Sequence, residues 1–247
     1  MRFKKFLPLL IVGLLCCGCT PTTTLRHHSN YKDSIKSAKD AVIMPVVAEV
    51  NTVSFGGKKE RMYDYETHIE GMISEIMLSS LVDKGLRVKL LRKKHIHEQH
   101  IGDIILSLRK HYNDAREELY SPLNQEHKKA FNIVKNIGNS AKALRETIGS
   151  DLLIFVDYVG AVKTTGARTL DFASTILLGD EVSKDADNSS LVIGLIDARG
   201  GDVIWMNLGV VQKDIYDCAF DNFSSHSKVE KETLTRLITL TLAPFSY

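Results

Sequence analysis

The feature that most constrains the fold lies in the last quarter of the chain, where SSLVIGLIDA (189–198) and DVIWMNLGVV (202–211) flank Arg199-Gly200-Gly201. Both runs are rich in β-branched residues, and the Gly-Gly pair supplies the positive-φ positions that a tight antiparallel connection needs. Asp197 and Asp202 border the turn, where short acidic side chains bond local backbone. A hairpin this apolar must join a sheet, and the preceding chain offers the partners. AVIMPVVAEV reads as a buried strand over 41–47, with Pro45 at an edge or bulge because it has no N–H for a ladder. SDLLIFVDYVGAV (150–162) reads as a central strand and LRVKLL (86–91) as another.

Helices separate these strands. Tyr65, Ile69, Ile73, Ile76, Met77, Ser80 and Leu81 recur at three- and four-residue steps and predict a helix over 65–84, stopped by Gly85. Two further stripes run through Ile101, Ile105, Leu108, Tyr112, Ala115 and Leu119, then through Phe131, Val134, Ile137, Ala141, Leu144 and Ile148. They predict a charged helical hairpin over about 95–149, broken at Ser121-Pro122. Val229, Leu234, Leu237, Ile238 and Leu242 predict a last helix over about 228–242. Residues 51–60 (NTVSFGGKKE) read as a glycine-containing loop, and 164–187 hold one apolar stretch, 170–178, before an acidic turn. Long helices between strands force crossovers and parallel pairing. The expected fold is therefore α/β (α+β): a mixed β-sheet with helices packed on it, a terminal antiparallel hairpin and an inserted helical hairpin, in a single domain over 41–247.

The other informative segment is MRFKKFLPLLIVGLLCCGC. Arg2, Lys4 and Lys5 precede an apolar core of about ten residues, half the roughly 20 that span a bilayer as a helix. The pattern is that of a lipoprotein export signal over 1–18. Cys19 follows the small Gly18 and best suits acylation after cleavage. Cys17 is the alternative, because Cys16 occupies the third upstream position where such signals favour leucine. Residues 19–40 are polar, Thr- and Ser-rich and without apolar periodicity, and read as a lipidated flexible tether. Thr20 after the cysteine, instead of aspartate, points to the outer membrane by the sorting rule of enteric bacteria, with the domain facing the periplasm.

The chain has 32 Lys and Arg against 30 Asp and Glu, and the signal holds three of the basic residues, so the mature charge is 29 − 30 = −1. A nucleic-acid-binding domain shows a basic excess, so nucleic acid is not an expected partner. Three of the four cysteines lie in or at the end of the signal, which leaves Cys218 alone in the folded part and allows no intramolecular disulfide. Its reading is a small buried hydrophobe, with a reactive thiol as the minor alternative.

LVIGLIDARGGDVIWMN (191–207) resembles the strand, Leu-Ile-Asp-Ala, glycine turn, Val-Ile-Trp pattern of periplasmic lipoproteins related to the curli-secretion lipoprotein and to the lipoprotein activators of penicillin-binding proteins. AVIMPVVAEV resembles their opening strand, GLRVKLL their helix-to-strand step, and ETIGSDLLIFVDYVG their entry to a central strand. The resemblance covers 41–211 and implies a fold similar to the amino-terminal domain of the translocation protein TolB. It also implies a non-enzymatic envelope protein. The curli-type lipoproteins form a pore by turning two segments into membrane hairpins. Here 51–60 is too short for two strands of about 9–11 residues, and 164–187 lacks the alternation a barrel strand needs. The helical hairpin is longer than that pattern requires.

Catalytic constellations are scarce. His95, His97, His100 and His111 form the densest histidine cluster, with Glu98 and Asp103 nearby, but there is no HExxH and no cysteine partner. Solvated helix-start residues are the simpler reading, and His27 and His28 are weaker still. Asp214, Asp217 and Asp221 near Cys218 would raise its pKa and disfavour a thiolate. Glu117-Glu118 belong on an exposed helix, and Gly56-Gly57-Lys58 lacks the rest of a phosphate loop. Trp205, the sole tryptophan, reads as a core residue against the helices, with a ligand platform as the alternative. No catalytic, cofactor-binding or metal-ligating residue is assigned, and no cofactor is expected. The expected protein is not an enzyme. It is anchored through acylated Cys19 and binds an unidentified cell-envelope protein. The alternatives are an oligomeric secretion-channel component and a metal-binding enzyme using the 95–111 cluster.

Overall fold

The computed structural model describes residues 22–54, 58–120, 133, 135–163, 189–211 and 226–245. In chain order the strands are β1 (Thr22–His27), β2 (Ala41–Ile43), β3 (Val47–Val53), β4 (Lys59–Arg61), β5 (Val88–Leu90), β6 (Leu152–Lys163), β7 (Ser189–Asp197) and β8 (Asp202–Val211). The helices are α1 (Tyr31–Ser37), α2 (Tyr63–Asp83), α3 (Lys93–Glu98), α4 (Gly102–Tyr120), α5 (Asn139–Ile148) and α6 (His226–Leu242). The strands form one eight-stranded mixed sheet in the order β1-β8-β7-β6-β2-β5, with β3 also against β6 and β4 against β3. This is the predicted α+β class.

The terminal hairpin folds as read. β7 and β8 pair from Ser189↔Val211 to Asp197↔Asp202, and Gly201 turns with φ +84°. Asp197 Oδ1 accepts the Arg199 N–H at 3.0 Å, the local bond expected of an acidic residue beside a turn. β6 lies at the centre, antiparallel to β7 and parallel to β2 and β3.

Pro45 sits where β2 gives way to β3. Ile43 pairs with Ile154 and Val47 with Asp157, so four steps on one strand oppose three on its neighbour. The extra residue is a bulge, and it spares the ladder an N–H that proline cannot supply. Residues 41 and 43 face one core before the bulge, and 46, 48 and 50 face the same core after it.

Two cores result, one on each side of the sheet. The first holds Ile35 of α1, Ile69, Ile73 and Met77 of α2, and Leu234 and Ile238 of α6 against Ile154, Val156, Ile193 and Trp205. The second holds Leu108, Tyr112 and Ala115 of α4 and Ala141 and Leu144 of α5 against Leu153, Phe155, Ile196 and Met206. Helices therefore cover both faces, as sheets with parallel strands require.

Three sequence readings are corrected. Residues 22–37, read as flexible tether, form β1 and α1. β1 pairs with β8 along its whole length, Thr22↔Val210 to His27↔Trp205, and α1 buries Tyr31 and Ile35. The stability comes from partners far away in sequence, which local polarity does not reveal. Residues 51–60, read as a loop, carry the end of β3 and the start of β4, paired Asn51↔Arg61 to Val53↔Lys59. The second helix of the predicted hairpin begins only at Asn139. Ile133 and Ile137 are buried in extended chain instead, donating N–H bonds to His27 and Gly201 carbonyls at 2.9 and 2.8 Å. The signal, Cys19, 164–187 and Cys218 lie outside the described residues.

Candidate functional site

The bulge at Pro45 meets the buried carboxylate of the central strand, Asp157. Alternation along β6 puts Leu153, Phe155 and Asp157 on the α4 side of the sheet, and α4 presents Arg109 and Arg116, two turns apart, to the same place. Arg109 Nη1 bonds Asp157 Oδ1 and Arg116 Nη1 bonds Asp157 Oδ2, each at 2.5 Å. Arg109 Nη2 also donates to the Pro45 carbonyl at 2.7 Å, and its guanidinium lies 4.9 Å from the Phe155 ring centroid. Asp157 is buried, and both arginines are partly so. The cluster joins helix, strand and bulge in one buried ion triad.

Tyr112 lies between the two arginines on α4, fully buried and stacked on Phe155 at 4.4 Å. Burial first, then the Asp157 charge, pushes its hydroxyl well above the ordinary tyrosine range. Gly194 makes room for it, since a Cβ there would stand 2.6 Å from Tyr112 Cε2.

Among the described residues, no helix packs on this face of the sheet beyond Asp157. Val47 and Val159, on the same face as Asp157, are 41% and 45% exposed, with the exposed Glu49 beside Val159 in the register. Parallel strands are ordinarily covered on both faces; among the described residues, β3 and the part of β6 beyond Asp157 have helices against one face only. This open patch, bordered by the triad, is the best candidate for a binding surface.

The opposite end of the sheet is closed by polar stitching. Asp151 accepts the Lys39 N–H at 3.0 Å and Arg145 Nε at 2.8 Å. Burial pushes that carboxyl up, but the Lys39 and Arg145 bonds and the Arg199 charge outweigh it and hold it below the usual range. Arg199 grips Asp197 and bonds Ser37 Oγ and the Ser34 carbonyl, tying α1 to the hairpin turn. A cleft of about 240 Å³ opens beside Lys39, Asp40 and Arg87. Near the β4–α2 junction Glu66 is held below its usual range by Arg61, against its burial, with help from the Val50 N–H.

The histidines do not converge. His95, His97, His100 and His111 are exposed, and among the described residues no three His, Cys, Asp or Glu side chains form a metal-holding group. Their clustering has a local explanation. His100 ends α3 with φ +53°, its N–H reaching the His97 carbonyl and the Ile101 N–H the Ile96 carbonyl, the paired bonds of a left-handed helix cap. Histidine tolerates that conformation at a cost, so His100→Gly is expected to raise stability by about 1 kcal/mol in urea unfolding. A loss would deny the cap.

Trp205 is fully buried and meets Phe245 edge-on at 5.7 Å, so it is a core residue and no ligand platform. Glu117 and Glu118 are exposed on α4, and Lys58 pairs with Glu60. Gly56, Gly57, Cys218 and its neighbouring aspartates lie outside the described residues. Sequence reasoning missed the Arg109–Asp157–Arg116 triad; an aspartate inside an otherwise apolar central strand was the available signal.

The fold and this patch define a mixed-sheet domain with helices on both faces and an exposed valine pair on β3 and β6. No family model and no curated protein matches the chain. Solved structures similar to it include a PelC dodecamer from Paraburkholderia phytofirmans, at 9% identity over 91% of this chain and 96% of that one, TM-score 0.41. The lipoprotein GNA1162 from Neisseria meningitidis is similar at 9% identity over 83% of this chain and 99% of that one, TM-score 0.33. The LpoB C-terminal domain from Salmonella enterica is similar at 13% identity over 74% and 93%, TM-score 0.28. At these scores the likenesses fix neither fold nor role for this chain.

Proposed function

We propose that this is a non-enzymatic lipoprotein of the outer membrane, anchored through acylated Cys19, whose periplasmic domain binds another envelope protein through the open patch around Val47 and Val159. The observation that carries the reading is the exposure of Val47 and Val159 on a face of β3 and β6 that no helix among the described residues covers. A parallel pair left open on one side is an incomplete layer, and a partner's surface completes it. The export signal read in the sequence supports a partner in the envelope, and the resemblance of 191–207 to curli-secretion and activator lipoproteins supports the same setting. The dispersed histidines leave the enzyme reading without a site to build on.

The test is a photo-crosslinking residue at Val159 in intact cells, with one at the exposed Lys142 of α5 as control. An adduct to one envelope protein is expected from position 159 alone, abolished by Val47→Glu. Equal adducts from both positions, or none from 159, would remove the reading. A self-adduct from 159 would favour the oligomeric alternative.

A further inference from the structure

β1 shortens the distance between lipid and fold. It starts at Thr22, three residues after Cys19. Three trans peptide steps span at most about 11 Å, so an acylated Cys19 holds the start of β1 against the membrane surface.

Strand direction says which end of the molecule that is. Thr22 pairs with Val210, Ser189 with Val211, Ser190 with Val159, and Val53 with both Lys163 and Lys59. All of these positions lie at one end of the sheet. The turns at 38–40, 84–87 and 198–201 lie at the other, about 30 Å away along the ten residues of β8.

One lipid alone would let the domain tip onto its long β1 edge. A second feature at the anchored end opposes this. β1 and the β3–β4 ribbon occupy opposite flanks of the sheet, five strand spacings or about 24 Å apart. The exposed tip of the ribbon sets Lys58 and Lys59 against Glu60 alone, while Arg61 at its base is matched by Glu66 and has Glu49 nearby. The tip therefore keeps one net positive charge, the sign that anionic headgroups attract near a membrane.

We infer that the domain stands end-on on a phospholipid surface, seated at two points, the acylated Cys19 beside β1 and the basic Lys58–Lys59 tip of the β3–β4 ribbon, with the 84–87 and 198–201 turns facing away. The inference rests on the acylation of Cys19. It gives the open Val47–Val159 patch a position on the side of the domain near the membrane, accessible to a partner in the same leaflet.

The test uses the full acylated chain with Cys218→Ser and a nitroxide at Ser54→Cys or at Arg87→Cys, in vesicles of equimolar phosphatidylethanolamine and phosphatidylglycerol carrying a nickel-chelating lipid. Headgroup nickel should broaden the spectrum at 54 and leave that at 87 unchanged. A flexible fifteen-residue Gly-Ser spacer inserted after Pro21, together with Lys58→Glu, should abolish the broadening at 54. Mass spectrometry of the amino-terminal peptide separates the two possible failures. A chain without acyl groups on Cys19 overturns the anchor and the orientation together. An acylated chain broadened equally at both sites, or more at 87, overturns the orientation alone.

Discussion

Asp157→Ala should cost about 3–5 kcal/mol of folding stability, the usual result of removing one partner from a buried ion pair. For a domain of this size that lowers the thermal midpoint by about 10 °C. The loss comes less from the attraction surrendered than from the two guanidiniums left behind. Arg109 and Arg116 are both turned toward Asp157 beneath α4, and Arg109 also holds the Pro45 carbonyl. Without the carboxylate, two positive charges would face each other above Phe155 and Tyr112. The compensating variant, Asp157→Leu with Arg109→Met and Arg116→Leu, should recover most of the stability, because an apolar trio removes the desolvation cost with the attraction. Circular dichroism melts of the three chains decide the matter. A midpoint within a degree or two of wild type for Asp157→Ala would mean that the triad is solvated.

A chain that begins at Ala41 should fail to fold at 25 °C, whereas one that begins at Thr22 should be a folded domain. The truncation strips β1 from residues 205–210 of β8 and takes α1 out of the first core, Ile35 included. Loss of one buried isoleucine side chain alone costs about 2–5 kcal/mol, against a total stability of about 5–15 kcal/mol. It also cuts the Arg199 bonds to Ser34 and Ser37 that hold the hairpin turn. β8 would become a long apolar edge open to pairing between molecules. Size-exclusion chromatography and amide exchange separate the outcomes. A monomeric, exchange-protected chain from Ala41 onward would make β1 and α1 dispensable.

These two expectations mark what the residues did and did not disclose. The β7–β8 hairpin was legible because its turn chemistry and its strands agree locally, Gly201 taking the positive φ its neighbours require. α2 was legible because Ile69, Ile73, Ile76 and Met77 keep a helical period. β1 was not. TTTLRH has a single fully apolar residue, and its strand form comes from a ladder to residues 205–210, some 180 positions away in sequence. Ile137 fell in the predicted helical stripe by coincidence of spacing, and the long-range bond from its N–H to the Gly201 carbonyl overrode it. The candidate patch was hidden for the same reason. Val47, Asp157 and Val159 look like core residues in sequence, and only the length of α4 decides which of them it covers.

The bulge at Pro45 has a consequence for how this chain tolerates changes in length. Because residues on odd positions before it and even positions after it share one core, a single-codon deletion there would reverse the phase of β3. Ala48 and Val50 would turn to solvent and Val47 and Glu49 inward, so one lost residue would exchange the inside and the outside of a whole strand. In such a chain a point substitution at 44–46 leaves the phase of the strand intact, whereas an insertion or deletion exchanges its two faces.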